Sequence, residues 1–278
     1  MADRKRLRAL RHLPSVEALS LGSDLPEAEL GAALEGIQVE MLLLIQNTLL
    51  TGVSWLSAVA DSLSLLSVEQ CPGVRDLTPL TGLGKLRILL LDAEGMPLAD
   101  LAPLANLPSL TDLSLRRLSV DRLSEIPAHP GVSVLRVTNF RPLTLDGLGA
   151  WKSLRALRVT ELAAFDDALV KLREHSRITD LQLTAFPWGS RPDHAVSVPT
   201  IEKLSVPAPP PGENVARLRT VFPWVTRLTL DASGRRTLNL TPLRSWPGLS
   251  WVEVVGAKET RLIGAEGLGD RLDVSPFA

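Results

Sequence analysis

Tyrosine is absent from the 278 residues, and aromatic side chains of all kinds make up only 4% of them. Rings cannot supply the bulk of the interior, so branched aliphatics must build it, as in stacked-repeat proteins. The single cysteine, Cys71, excludes an internal disulfide framework and fits a reducing cytosol. Excess charge is lacking too. Thirty basic residues face 31 acidic ones, a net charge of −1, which argues against a dedicated nucleic-acid binder. Of the basic residues 24 are Arg and six are Lys, a bias typical of GC-rich bacterial coding. The opening MADRKRLRALRHLP is basic but leads into no continuous apolar stretch, so no signal peptide is read there and a cytoplasmic location is expected. One run, Met41 to Ala60, carries no charge for 20 residues, long enough to cross a bilayer. It contains Gln46 and Asn47, is flanked by Glu40 and Asp61 instead of Lys or Arg, and keeps step with the repeat below, so no membrane span is expected.

What the chain has is leucine, 55 residues of it. The clearest pattern is Leu77-x-x-Leu80-x-x-Leu83-x-x-Leu86-x-x-Leu89-x-Leu91, repeated from Leu101 through Leu104, Leu107 and Leu110 to Leu113-x-Leu115. Three-residue spacing suits a tight 3₁₀-like turn, and the closing Leu-x-Leu alternates like a strand with both leucines on one face. Such pairs recur at Leu19/Leu21, Leu42/Leu44, Leu66/Val68, Leu89/Leu91, Leu113/Leu115, Leu135/Val137, Leu157/Val159, Leu181/Leu183, Leu204/Val206, Leu228/Leu230 and Val252/Val254. Eleven strands spaced by 22 to 24 residues define a leucine-rich-repeat solenoid, an α/β horseshoe or arc. A parallel sheet is expected on its concave face, with short helices or 3₁₀ turns on the convex one.

Three residues after the second leucine, the chain must bend. Asn47 and Cys71 hold that position, with Asp24 and Ser233 as polar relatives, while Leu118, Phe140, Leu162 and Phe186 are expected to fill the bend by packing. Helix starts are read at Ser23-Asp24 and at Phe165-Asp166-Asp167, a third short helix within Glu213 to Val221, and a surface loop over Pro187 to Pro199. The first repeat is in phase from Leu7, and no polar cap precedes it. The expectation is therefore a single repeat domain over 1–278, a piece of a longer protein, with 261–278 as a closing segment.

The phrases DLTPLTGLGKLRILLL (Asp76 to Leu91) and DLAPLANLPSLTDLSL (Asp100 to Leu115) resemble bacterial leucine-rich repeats of the internalin-like or short consensus. Arrays of this style also resemble the carboxy-terminal sensor regions of NACHT-type ATPases, the bacterial relatives of NOD-like receptors. That resemblance implies an immune or antiviral sensor whose ATPase lies upstream and whose partner is a foreign or phage protein. The chain's own nearest phosphate-loop lookalike, Gly82 to Leu86, lacks the first glycine and the Ser/Thr after lysine.

Catalytic chemistry finds no foothold. His12, His129, His175 and His194 have no His or Cys partner at metal-ligand spacing and read as surface or turn residues. Asp166-Asp167 are dipole partners in a first helical turn, and Asn239-Leu240-Thr241 is a glycosylation sequon by pattern only. No cofactor, metal or catalytic residue is expected, and the chain is read as a non-enzyme.

Binding residues follow from strand alternation, since side chains next to the two leucines face the concave side. An early apolar zone holds Met41, Leu43, Ile45, Leu65, Ile88 and Leu90. The middle zone includes Asp112, Arg116, Arg136, Arg158 and Gln182, and the late zone Lys203, Arg227 and Trp251. An exposed apolar patch of that extent marks an interaction site. It reads equally as a site for a protein ligand or as the dock of a neighbouring domain of the same protein. A scaffold that assembles through its ends is the alternative, and neither nucleic acid nor a membrane is an expected partner.

Overall fold

A computed structural model describes residues 10, 12–22, 25–94, 96, 98–189 and 196–276. Two compact units divide the chain, Met1–Phe140 with Ala150–Ser153, and Arg141–Gly149 with Leu154–Ala278. The first unit holds parallel strands β1 (Ser15–Leu21), β2 (Gln38–Ile45), β3 (Leu65–Glu69), β4 (Ile88–Asp92), β5 (Asp112–Leu118) and β6 (Val134–Asn139). Each pairs with its predecessor so that Leu19, Leu42, Leu66, Leu89, Leu113 and Leu135 stand in one column. From Leu42 onward that column is fully buried. Each buried leucine is worth about 1.5–3 kcal/mol relative to exposure, so the column locks the register.

The second unit repeats the plan with β7 (Ala156–Val159), β8 (Asp180–Leu183), β9 (Lys203–Pro207), β10 (Arg227–Asp231), β11 (Thr237–Asn239), β12 (Trp251–Val255), β13 (Arg261–Ile263) and β14 (Leu272–Val274). Its sheet runs β7-β8-β9-β10-β12-β14, all parallel, while β11 and β13 pair separately. All eleven Leu-x-Leu pairs therefore lie in strands, and the fold is a leucine-rich-repeat solenoid.

Return segments follow the local sequence. Leucines or valines three apart give 3₁₀ turns at Ser54–Val59, Thr78–Gly82 and Leu98–Asn106. Among the described residues three of the return segments are α-helical, α1 (Glu27–Leu34), α2 (Phe165–Glu174) and α3 (Ala216–Val221). In α2, Asp166 and Asp167 occupy the first turn, Lys171 and Arg173 the last, and Ala168, Leu169 and Leu172 face the core. The Ser23-Asp24 helix start and Asp24 at the first bend lie outside the described residues, as do 190–195 of the expected loop. The uncharged run Met41 to Ala60 divides into β2 and a 3₁₀ turn, and no helix among the described residues is long and apolar enough to cross a membrane.

Asn47 is fully buried at its bend; its amide donates to the Leu25 carbonyl at 3.2 Å and its Oδ1 accepts the Leu49 N–H at 3.0 Å. Leu118, Leu162 and Phe186 fill their bends with apolar bulk, but Phe140 does not: it is 65% exposed, and Asn139 is buried instead. Arg117, like Gln46 and Gln70 at the same place in their rungs, has a φ of 54°, and the β6 rung has no such residue, so the register shifts and Leu118 pairs with Asn139. The turned-in Asn139 bonds both the N–H and the carbonyl of Val120. Ser233 is exposed, and Ala232 fills that rung's bend.

Neighbouring rungs are also tied by Glu27 in the first turn of α1. Its Oε1 accepts from the Thr51 N–H at 2.6 Å, the Thr51 hydroxyl at 2.7 Å and the Gly52 N–H at 2.6 Å. The Thr51 hydroxyl, with these amides, holds the carboxyl below its ordinary pKa. A depressed carboxylate pKa stabilises the fold above the unfolded-state value, and that contribution disappears as pH falls through the folded one. Glu27→Gln is expected to lose about 1 kcal/mol in urea denaturation at neutral pH, with the deficit shrinking toward acid; a pH-independent deficit would contradict the charge-based account.

Candidate functional site

Potentially reactive side chains are committed to structure. Cys71 is buried, its thiol near the Glu69 carbonyl at 3.4 Å and the Leu44 carbonyl at 3.8 Å. Burial pushes its pKa up, so the nucleophilic thiolate is disfavoured. The folded chain is accordingly expected to resist iodoacetamide at neutral pH and to react on unfolding, as intact mass before and after urea would show. His129 takes the turn alternative rather than the surface one, and that turn is buried, with Nε2 2.7 Å from the Leu107 carbonyl and Nδ1 accepting the Gly131 N–H at 3.0 Å. His12 is exposed and His175 half-buried, while His194 lies outside the described residues. No cluster of three His, Cys, Asp or Glu suited to a metal occurs among the described residues. Asp167 pairs with Lys171, and Asn239 Oδ1 accepts the Thr241 N–H at 3.0 Å.

The open sheet face of the first unit consists of three columns. Met41, Leu65, Ile88 and Asp112 stand in direct register in the first; Leu43, Ser67, Leu90, Ser114 and Arg136 form the second. In the third, Ile45 neighbours Glu69 and Asp92 neighbours Arg116. Strands lie about 4.8 Å apart, so Met41, Leu65 and Ile88 make one continuous stripe with Leu43 and Leu90 beside it. Ser67, buried between those two leucines, interrupts the second column, and Ile45 stands apart beside Glu69. The six apolar side chains are half-buried because each rung shields the next.

Charges on this face are neutralised from within. Arg136 pairs with Asp112, and Arg116, 46% exposed, reaches across β4 to Glu69 at 3.4 Å. Asp92 is turned away to Arg117, which also holds Glu94, and its side chain is only 6% exposed. Glu69, Asp92 and Arg117 escape a search for apolar or arginine columns. Their signal is positional, since Glu69 and Asp92 follow the second leucine of their pairs just as Arg116 does. A groove of about 400 Å³ lies beyond these strand ends, between Gln46, Gln70, Val74, Met96 and Arg117.

The second unit is arranged differently. Asp180, Lys203, Arg227 and Trp251 stand in one column over successive strands, and Gln182, Ser205, Thr229 and Glu253 in the next, with Arg158 beside Gln182. Together they line a groove of about 360 Å³, which brings the expected Arg158, Gln182, Lys203, Arg227 and Trp251 into one place. Trp251 is 41% exposed, and Lys203 and Arg227 are exposed as well. Among the described residues none of the three cations makes an ion pair, and the Nε–H of Arg158 is buried without an acceptor. Like charges on adjacent rungs repel by up to about 1 kcal/mol in water, and Lys203 and Arg227 stand side by side in register.

No family model matches the sequence, and a search of curated proteins finds no match. Among solved structures, an internalin (inlF) from Listeria monocytogenes is 15% identical with a TM-score of 0.47, over 98% of this chain and 89% of the internalin. TLR13, solved as a complex with ssRNA13, is 16% identical with a TM-score of 0.49, over 98% of this chain and 48% of TLR13, so the chain spans about half its length. Assignment of the chain as a leucine-rich-repeat solenoid rests on its own strand spacing and register.

Proposed function

We propose that the chain is a non-catalytic recognition module that binds a protein partner on the open sheet face of the first unit. The observation that carries this reading is the stripe Met41–Leu65–Ile88, flanked by Leu43 and Leu90 on a face whose charges are paired internally. Apolar side chains in adjacent rungs supply affinity on burial, while paired Arg116 and Arg136 supply orientation without a net field. The commitment of Cys71 and His129 to packing supports binding over catalysis.

A random-peptide display library panned against the full chain tests this reading. The wild-type chain should enrich a family of apolar-rich peptides, and the variant Met41→Asp/Leu65→Asp/Ile88→Asp, with its circular dichroism unchanged, should lose them by about a hundredfold or more. Failure to enrich any family, or equal retention by the variant, would overturn the proposal.

In its finer form, the module is the sensor of a NACHT-type ATPase in a bacterial cytoplasm and recognises a foreign protein. The wording of the repeats at Asp76 to Leu91 and Asp100 to Leu115 supports that form. A Walker A motif encoded upstream in the same reading frame is its test, and an unrelated domain there would reject it.

A further inference from the structure

We propose that the second unit carries a separate acid-reading site: Lys203 and Arg227 receive a carboxylate side chain of a protein partner, and Trp251 packs against an apolar side chain next to it. The site shares with the proposed function only the premise that the chain binds protein.

Register brings the three residues together. Lys203 pairs with Arg227 and Arg227 with Trp251, so two cations and an indole stand side by side on three consecutive strands. Among the described residues their charges make no ion pair, in contrast to Arg116, Arg117 and Arg136 of the first unit, each of which holds a carboxylate. An arriving carboxylate relieves the repulsion between Lys203 and Arg227 and takes charge-assisted hydrogen bonds from both. Arg158, whose Nε–H is buried without an acceptor, lines the same groove and adds a third positive charge. Trp251 adds apolar area at low entropic cost, as anchor residues at interfaces do.

Size and sign limit the occupant. Asp180 lies on the rung before Lys203, and Glu253 in the neighbouring column beside Thr229, whose hydroxyl donates to it at 3.0 Å. With Arg158 the groove holds three cations and two carboxylates, so its excess is one positive charge, confined between acidic borders. A polyanionic backbone would run onto Asp180 and Glu253, whereas one acidic side chain fits. The observations therefore favour a protein segment in which Asp or Glu adjoins Leu, Phe or Trp, over a nucleic acid.

Panning the full chain with the same kind of library tests this assignment. Wild type should enrich peptides that pair Asp or Glu with an apolar neighbour, and Lys203→Ala or Arg227→Ala should each weaken those peptides by about tenfold. Lys203→Glu/Arg227→Glu should switch the enriched residue to Lys or Arg, and Trp251→Ala should keep the acidic residue but lose preference for its neighbour. These side chains are exposed, so unchanged circular dichroism is expected. Absence of acidic enrichment, or equal binding of acidic peptides by the charge-reversed variant, would overturn the assignment. So would a single-stranded RNA oligonucleotide that binds wild type with steep salt dependence and displaces the peptides. Peptides lost on Met41→Asp/Leu65→Asp/Ile88→Asp but retained on the charge-reversed variant would reject this site and leave the proposed function standing; the opposite pattern would do the reverse.

Discussion

Leu66→Asp is expected to abolish folding of the first unit, whereas Leu65→Asp, one residue earlier, should leave it folded. Leu66 is fully buried in the leucine column, and Leu65 is half-buried on the open face. Cutting a buried leucine down costs about 2–5 kcal/mol, and an unpaired carboxylate in the same place adds several more. The total rivals the roughly 5–15 kcal/mol that holds a domain together. Leu65→Asp forfeits only part of one contact and strand propensity, about 1 kcal/mol. Circular dichroism with urea titration separates the two outcomes. Equal effects would mean that the strand does not alternate as described, and would also undermine the use of face variants to probe binding.

Trp151→Ala is expected to destabilise the fold by about 3–5 kcal/mol, more than any single leucine on the open face. Trp151 is the bulkiest of the fully buried side chains. It sits six residues before Leu157, where Leu83 and Leu107 precede Leu89 and Leu113, and Phe222 and Trp246 precede Leu228 and Val252. Removing a fully buried indole leaves a cavity larger than the loss of leucine at the same slot of the Leu83 and Leu107 rungs would leave. Urea midpoints by tryptophan-independent circular dichroism would measure the loss; a change below about 1 kcal/mol would show the slot to be plastic.

The scaffold was legible in the sequence because leucine spacing obeys two periods at once, two within a strand and 22 to 24 between rungs. A sliding register would expose the column that includes Leu42, Leu66 and Leu89, so spacing alone places the strands. Bends were less legible. Phe140 holds the repeat position of a bend residue, but its rung lacks the left-handed residue that Gln46, Gln70 and Arg117 supply in theirs, so the pairing shifts by one and Asn139 turns inward. Nothing in the identity of Asn139 announces that its rung omits that conformation. His129 occupies the slot of Leu83 and Leu107, and it is buried because its two ring nitrogens find a backbone acceptor and a backbone donor.

The open faces were legible as columns, since alternation decides which residues point away from the core. Partnership within the columns was not. Whether an arginine on such a face is free depends on a carboxylate one or two strands away, as Glu69 is from Arg116, and long side chains choose among several partners. The same alternation that grouped Arg116, Arg136 and Arg158 thus concealed a difference: the first two are neutralised, and the third belongs with Lys203 and Arg227.

The central claim is that a protein partner buries the Met41–Leu65–Ile88 stripe, and burial of apolar surface carries its own signature, a negative heat-capacity change. Isothermal titration calorimetry of a panned peptide into the full chain, repeated across a range of temperatures, reads it directly. The account predicts a clearly negative heat-capacity change for the wild-type chain and loss of measurable binding in Met41→Asp/Leu65→Asp/Ile88→Asp. Binding with a heat-capacity change near zero, unaltered by those substitutions, would contradict it.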